Sequence, residues 1–507
     1  MTDSAPSTQA LPPVASTGVA GLDEILHGGL PLAEMHLIQG VTGTGKTTLS
    51  LRFLSAGVQA GEAGLYVTLS QSKEHLERIA RSHGWSLDGI TIYELSPGTV
   101  ASRIAARQTV LPTADLQLGE LFRELSELVL RVRPRRAVVD SITILQMLAG
   151  GTQRYHREVV TLRQLFVKHD CTLVTLADHP AQTDAGQAAE VIFHPLSGCV
   201  IQLQQDGREY GIARRRLRVV KARGLPSNTG LHDLQIRTGE VKVFPRLGAY
   251  DQPDRGDFRN IATGVSVLDE MLGGGLETGT ACLLVGPSGV GKSTLSTLYA
   301  DAIATSGARA AIFLFDERPE THIVRAEGLG IPLRGHVTAG RVLLRQLDPG
   351  EISPGEFAQQ VRQLVDAGDI QLVVIDSIVG YFAAMGAANV LTTQLHELLT
   401  FLTRRNVLLI LCGSQQGFMS IGAQEAVDVS YLSDTIVAVS FFEAEAQIRR
   451  AITVVKKKHG PHSTRIHELT MEGGRVQVRA QALLPFRNLM VPHGSGPDPR
   501  TGRDAPP

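Results

Sequence analysis

Apolar residues in this chain cluster in short, mostly apolar runs, at positions 35–39, 64–69, 137–139 and 171–176 and again at 281–285, 311–315, 372–375 and 407–411. Such a run suits a strand covered on both faces, because successive side chains point to opposite sides of a sheet. Between the runs the spacing changes. Leu391, Leu395, Leu398, Leu399 and Leu402 recur at intervals that place them on one helical stripe. Strands alternating with helices predict an α/β fold, with a doubly wound and mostly parallel sheet in each half.

The pattern also repeats. Thr17-Gly18-Val19-Ala20-Gly21-Leu22-Asp23 returns as Thr263-Gly264-Val265-Ser266-Val267-Leu268-Asp269, an offset of 263 − 17 = 246, and Lys46 and Lys292 in the Gly-rich loops that follow are also 246 apart. Two landmarks in one register indicate a tandem duplication of a complete domain. The copies span 17–246 and 261–487, with a Pro/Gly/Asp-containing linker at 247–260. Residues 1–16 and 488–507 read as a disordered lead-in and tail.

Composition agrees and narrows the function. A chain of 507 residues exceeds the ~250 that one core organises. The 49 Lys and Arg against 50 Asp and Glu leave no global basic field to hold nucleic acid or anionic lipid. The mean hydropathy of +0.04 is that of a globular chain. Cys171, Cys199, Cys282 and Cys412 never form C-x-x-C and mostly sit in apolar runs, which fits a reduced, cytoplasmic protein with neither a zinc ribbon nor a disulfide frame. No run of 18 apolar residues and no signal-peptide pattern occurs, so a membrane partner is not expected.

The chemistry sits at the end of the first strand of each copy. Gly40-Val41-Thr42-Gly43-Thr44-Gly45-Lys46-Thr47-Thr48 and Gly286-Pro287-Ser288-Gly289-Val290-Gly291-Lys292-Ser293-Thr294 follow G-x-x-x-x-G-K-[ST]. In this P-loop, glycines let backbone N–H groups wrap phosphates, the Lys reaches the β- and γ-phosphates and the hydroxyl holds Mg²⁺. Asp140 and Asp376, each closing an apolar strand before a Ser, supply the second metal anchor beside Thr47 and Ser293. Both halves are therefore expected to bind ATP with Mg²⁺. Hydrolysis also needs a carboxylate to handle the attacking water. Asp316-Glu317 ends the strand after the second P-loop helix, whereas the same register in the first half, 316 − 246 = 70, holds Ser70-Gln71. Lys221 and Arg223 share a face near one strand end, and Lys456 and Lys458 do the same in the second copy.

Together, the T-G-x-x-x-L-D approach, the paired P-loops, the Asp-Ser strand endings and the late K-x-R-G string resemble the RecA superfamily, and specifically the KaiC group of double-domain ATPases, from Thr17 to about Val478. The resemblance implies a homo-hexameric two-tier ring that binds ATP between subunits, ATPase activity, and in clock-type members Ser/Thr autophosphorylation in the second tier under protein regulators. It assigns Asp316 and Glu317 to the paired catalytic carboxylates, the first shortened from Glu. Lys221, Arg223, Lys456 and Lys458 fall on residues that reach a neighbouring subunit's phosphates, with Lys458 replacing Arg and losing its bidentate fork. The paired phosphoacceptors fall on Ser430 and Tyr431, where only the Ser is kept.

The rival reading is a DNA-directed RecA- or RadA-type motor. Neutral charge, the missing zinc ribbon and the duplication oppose it, and Arg214-Arg215-Arg216 is expected to be solvated surface. A nonenzymatic scaffold fits Ser70-Gln71 but not Asp316-Glu317. Guanine specificity is disfavoured because Val167-Lys168-His169-Asp170 lacks the first side chain of an [NT]-K-x-D reader.

Overall fold

The computed structural model describes residues 12–95, 114–149, 151–178, 193–206, 213–248, 258–348, 350–385, 388–413 and 430–483. The chain divides into two units, Met1–Arg246 and Leu247–Pro507.

The first unit opens with β1 (Val14–Ala15), paired antiparallel with β2 (Leu30–Pro31). Its main sheet comprises β3 (Met35–Gly40), β4 (Gly64–Thr68), β5 (Ile90–Glu94), β6 (Arg136–Asp140), β7 (Thr172–Asp178), β8 (Cys199–Asp206), β9 (Arg214–Ala222), β10 (His232–Arg237) and β11 (Glu240–Phe244). The spatial order is β11-β10-β9-β8-β3-β7-β6-β4-β5, parallel from β8 through β5 and antiparallel from β8 outward to β11. The second unit repeats the plan with β12 (Asn260–Ile261) on β13 (Leu276–Glu277), then β14 (Ala281–Val285), β15 (Arg309–Leu314), β16 (Val342–Gln346), β17 (Ile370–Asp376), β18 (Leu408–Gly413), β19 (Thr435–Ala444), β20 (Gln447–Lys457), β21 (His467–Glu472) and β22 (Arg475–Ala482). The order β16-β15-β17-β18-β14-β19-β20-β21-β22 matches the first sheet element for element. Both halves are RecA-like α/β domains, and each P-loop strand lies mid-sheet where its loop emerges among the C-terminal ends of parallel neighbours.

The mostly apolar runs have the expected cause. In β6, Ala137 and Val139 face one hydrophobic cluster and Val138 the other, and in β17 Val373 and Ile375 face one cluster while Leu372 and Val374 face the second. Helices cover both faces of each sheet's parallel part, so every strand position there is a core position.

The repeated approach motif is a structural device. Thr17 donates from N and Oγ1 to Asp23 Oδ1, both at 2.7 Å, and Thr263 does the same to Asp269 Oδ1 at 2.8 Å. Each Asp thereby ties a short helix, Ala20–Ile25 or Ser266–Met271, to its entering chain. Gly29 and Gly275 have φ of 140° and 118°, and a Cβ on either would lie 2.1 or 2.2 Å from a carbonyl of the adjacent strand. Only glycine fits there.

Two expectations need correction. The lead-in is ordered by its end: Val14–Ala15 forms a strand and Ala15 is buried, because it pairs with Leu30–Pro31 and joins the first unit's core. The three arginines are not simple solvated surface. Arg215 Nε donates to the P-loop carbonyl of Gly43 at 3.3 Å, and Arg216, half-buried, faces Asp206 at 3.1 Å and Asp233 at 3.8 Å. Strand pairing of β9 with β8 and β10 brings these acids alongside. Within the expected linker, Leu247 is buried in a core cluster of the second unit. Residues 1–11, 249–257 and 488–507 lie outside the described residues.

Candidate functional site

Each P-loop is built by glycine geometry. The helices Lys46–Gln59 and Lys292–Thr305 start after Gly45 and Gly291, which adopt left-handed φ of 103° and 113°. A Cβ at these positions would strike Ile236 Cδ1 at 2.3 Å or Met471 Cε at 2.2 Å, side chains of the terminal hairpin beneath the loop. Gly43 and Gly289 are also left-handed, and Gly40 and Gly286 pack against the carbonyls of Leu203 and Val439. Thr44 Oγ1 donates to Val41 O at 2.8 Å, closing the first loop. Thr42 is exposed and Thr48 half-buried, whereas Val290 is fully buried and packs into the core, so only its backbone is available to a ligand.

The two lysines differ in what surrounds them. Lys46 Nζ donates to Gly40 O at 2.7 Å and Val41 O at 3.1 Å and faces Asp178 Oδ1 at 2.9 Å. Lys292 Nζ donates to Gly286 O at 2.9 Å and Pro287 O at 2.8 Å, and burial pushes its ammonium below the ordinary range against the pull of Cys412 and Asp376. Asp178 was not among the residues expected from sequence. Its signal was the strand ending Ala177-Asp178, one strand over from the Asp140 ending, and the 236-residue offset between Asp140 and Asp376 places Ser414 opposite it, outside the described residues.

The metal anchors also differ. Asp140 is buried, receives the Tyr66 hydroxyl at 2.7 Å and lies 3.4 Å from Thr47 Oγ1. Burial raises its pKa above the usual carboxylate range, Asp178 adds to this, and the Tyr66 bond, Lys46 and Thr47 oppose it. In the second half Ser293 and Asp376 line one cavity of about 730 Å³ with Ser288, Gly289, Lys292, Thr294, Asp316 and Glu317. Among the described residues no group of three or more His, Cys, Asp or Glu could hold a metal by itself. One hydroxyl plus one Asp is the donor set expected where substrate phosphates complete the shell of Mg²⁺, and the residues fit that ion.

The acidic pair is supported from several sides. Ser377 Oγ donates to Asp316 Oδ2 at 2.6 Å and accepts from Gly380 N at 3.2 Å. A Cβ on Gly380 would lie 2.8 Å from Asp316 Oδ1, so glycine makes room for the carboxylate. Glu317 takes both arms of Arg325, at 2.5 and 2.8 Å. In the first half, Ser70 is exposed and Gln71 Oε1 is buried without a hydrogen-bond partner.

The remaining candidates are tied locally. Lys221 Nζ donates to His194 O and Arg223 Nη2 to Pro195 O at 3.0 Å, while Lys456 Nζ donates to Ser433 O and Lys458 Nζ to Asp434 Oδ1, both at 2.8 Å. Burial pushes the Lys221 ammonium down, and Arg223 beside it adds to the effect. Each pair thus braces the chain entering the strand beside the P-loop strand. Ser430 opens a short 3-10 turn, Ser430–Leu432, next to exposed Tyr431.

Comparison with known proteins agrees with this geometry. The family model described as ATPase: KaiC matches residues 15–248 and again 261–482. The circadian clock oscillator protein KaiC of Parathermosynechococcus lividus is 24% identical over 476 residues, covering 92% of this chain and 85% of that protein. Its namesake from Prochlorococcus marinus (strain MIT 9313) is 24% identical with 91% and 92% covered, and that of Parasynechococcus marenigrum (strain WH8102) is 24% identical with 98% and 96% covered. With two P-loops on two sheets of one strand order, and a family match across both, the chain belongs to the KaiC ATPase family.

Proposed function

We propose that this protein is a Mg²⁺-dependent ATP hydrolase in which the second half turns over ATP and the first half holds it as a structural ligand. The observation that carries this is the cavity where Lys292, Ser293 and Asp376 meet Asp316 and Glu317, against Ser70 and Gln71 at the same register of the first half. Bound Mg²⁺ supplies charge neutralisation on the phosphate oxygens. The chain's own part is to wrap the phosphates with the P-loop, set Lys292 against them, and use the acidic pair to orient the attacking water and accept its proton.

The family reading adds a ring. Lys221, Arg223, Lys456 and Lys458 would leave the carbonyls and the Asp that now hold them to reach a neighbouring subunit's γ-phosphate, which makes assembly of a homo-hexamer depend on nucleotide. Light scattering with and without a slowly hydrolysed ATP analogue tests this, and a monomer under both conditions refutes it. The relatives' title as clock oscillator proteins supports a clock-like or signalling role with protein regulators, and Ser430 is the proposed acceptor of an autokinase step. The alternative, a DNA-directed motor, is weakened by the acids that face Arg216. Intact-mass spectrometry after incubation with Mg-ATP, alongside phosphate release, separates the activities. Phosphate release without added mass leaves a plain ATPase, added mass mapped to Ser430 supports the kinase, and no phosphate release overturns the reading.

A further inference from the structure

We propose that Arg325, backed by His322 and Thr297, is a positioning residue that aims Glu317 for ATP hydrolysis in the second half. The inference rests on the ATPase reading above and assigns a chain of contacts that neither the P-loop nor the acidic pair predicts.

The contacts run unbroken from the P-loop helix to the carboxylate. Thr297 Oγ1 donates to Ser293 O at 2.6 Å and lies 2.9 Å from His322 Nε2. His322 Nδ1 lies 3.0 Å from Arg325 Nη2 and 3.2 Å from Glu317 Oε2. Arg325 closes the chain through its fork on Glu317. With a neutral ring, the Thr297 proton goes to Ser293 O, His322 carries its proton on Nε2 and donates to Thr297, and Nδ1 accepts from Arg325, so that the 3.2 Å approach of Nδ1 to Glu317 carries no hydrogen bond. His322 is 1% exposed, and burial, with Arg325 second, pulls its pKa below the ordinary range despite the opposing pull of Glu317 and Asp376. It therefore stands as a neutral, fixed spacer.

The duplication supplies the control within one molecule. By the 246-residue offset, Thr297, His322 and Arg325 correspond to Leu51, Leu76 and Ile79, and Glu317 to Gln71. Leu51 and Leu76 are fully buried in the first unit's core, with Ile79 packed against it. The fold thus tolerates, and fills well, an all-apolar version of these positions. Where the carboxylate is absent the polar chain is absent too, so Thr297 and His322 serve Glu317 rather than the sheet. A bidentate guanidinium fixes the plane of a carboxylate as well as its position, which a lysine cannot do. Because the chain begins at the backbone of Ser293, whose hydroxyl is the expected metal anchor, the aim of Glu317 is set relative to the nucleotide site.

The test compares wild type with Arg325→Gln and Arg325→Lys, measuring kcat and KM for phosphate release and the affinity for a fluorescent ATP analogue, with Glu317→Gln as the floor left by the first half. Arg325→Gln is expected to lower kcat about 10- to 100-fold while KM and analogue affinity change less than about threefold, and Arg325→Lys should recover part of kcat because one charged contact survives. Loss of analogue affinity with kcat retained would make Arg325 a nucleotide contact and overturn the inference, as would unchanged kcat in both variants. A wild-type protein that releases no phosphate overturns the ATPase reading and this inference with it, whereas an active wild type matched by Arg325→Gln overturns the inference alone.

Discussion

The two halves share a strand order, a P-loop and an Asp at a matching strand end, yet they place their polar groups differently. In the first half the groups around the loop satisfy one another: Asp178 takes Lys46, and Tyr66 takes Asp140. In the second half Ile312 stands where Tyr66 does, and the polar contacts instead run outward to the acidic pair through Ser377 and Arg325. Even the small residues follow suit, since Gly380, which leaves room for Asp316, corresponds by the 236-residue offset to Ile144. One fold can therefore carry a closed, self-satisfied phosphate site and an open one, because the difference lies in side chains at strand ends that the core does not constrain.

The sharpest way to break this comparison is to move the carboxylate. Glu317→Gln should lower phosphate release about 10²- to 10⁴-fold without dissociating the proposed ring, and Gln71→Glu should restore none of it, since Leu51, Leu76 and Ile79 offer the new carboxylate no partner. Phosphate release paired with light scattering checks both. Substantial turnover in Glu317→Gln would reassign hydrolysis to the first half.

Acid should separate the halves by a second route. His36 is fully buried, donates from Nε2 to Pro31 O at 2.8 Å and accepts from Cys199 N at 3.1 Å at Nδ1, so neither ring nitrogen can take another proton without losing a partner. Burial pushes its pKa down to about 4. The folded state then binds fewer protons than the unfolded state, so stability is intact above about pH 6.5 and falls as pH drops toward 4, by roughly 3 kcal/mol in all. Cys282 occupies this position in the second half. Hydrogen exchange along the intact chain should show the first unit opening over that window, and His36→Gln, which keeps a donor and an acceptor, should flatten the response. An unchanged slope in the variant would place the acid sensitivity elsewhere.

Smaller effects sharpen the picture. Gly380→Ala should cost about tenfold in kcat by displacing Asp316, with the fold intact by circular dichroism, because the first half already accepts Ile144 there. Asp178→Asn should tighten nucleotide binding at the first site by up to about fivefold, since an ion pair with one half-exposed partner is worth at most about 1 kcal/mol. Titration with a fluorescent ATP analogue in a Lys292→Ala background, which removes the second site's phosphate contact, reads this directly, and weaker binding would show that Asp178 assists the nucleotide instead of competing with it.

Much of this was legible in the sequence for local reasons. A P-loop is a contiguous backbone device, so its glycines, Lys46 and Lys292 are readable from spacing, and strands buried on both faces announce themselves as mostly apolar runs. The 246-residue register even exposed the loss of the acidic pair at Ser70-Gln71. Arg214-Arg215-Arg216 reads as solvated surface because the ion pairs of Arg216 come from neighbouring strands, Asp206 on β8 and Asp233 on β10, which no local pattern displays.

By itself, then, the sequence determined two RecA-like domains, two P-loops, two strand-ending Asp residues and one acidic pair. Only the tertiary structure decided which groups those residues meet. Arg325 lies eight positions from Glu317, outside the reach of a helical turn, and joins it because the chain bends at Arg318-Pro319 and folds the helix Pro319–Gly328 back over the site. Asp178 meets Lys46 because β7 pairs in parallel with β3 across 132 residues of chain (178 − 46). The strength and direction of a charged contact depend on distance and burial, and long-range pairing sets both.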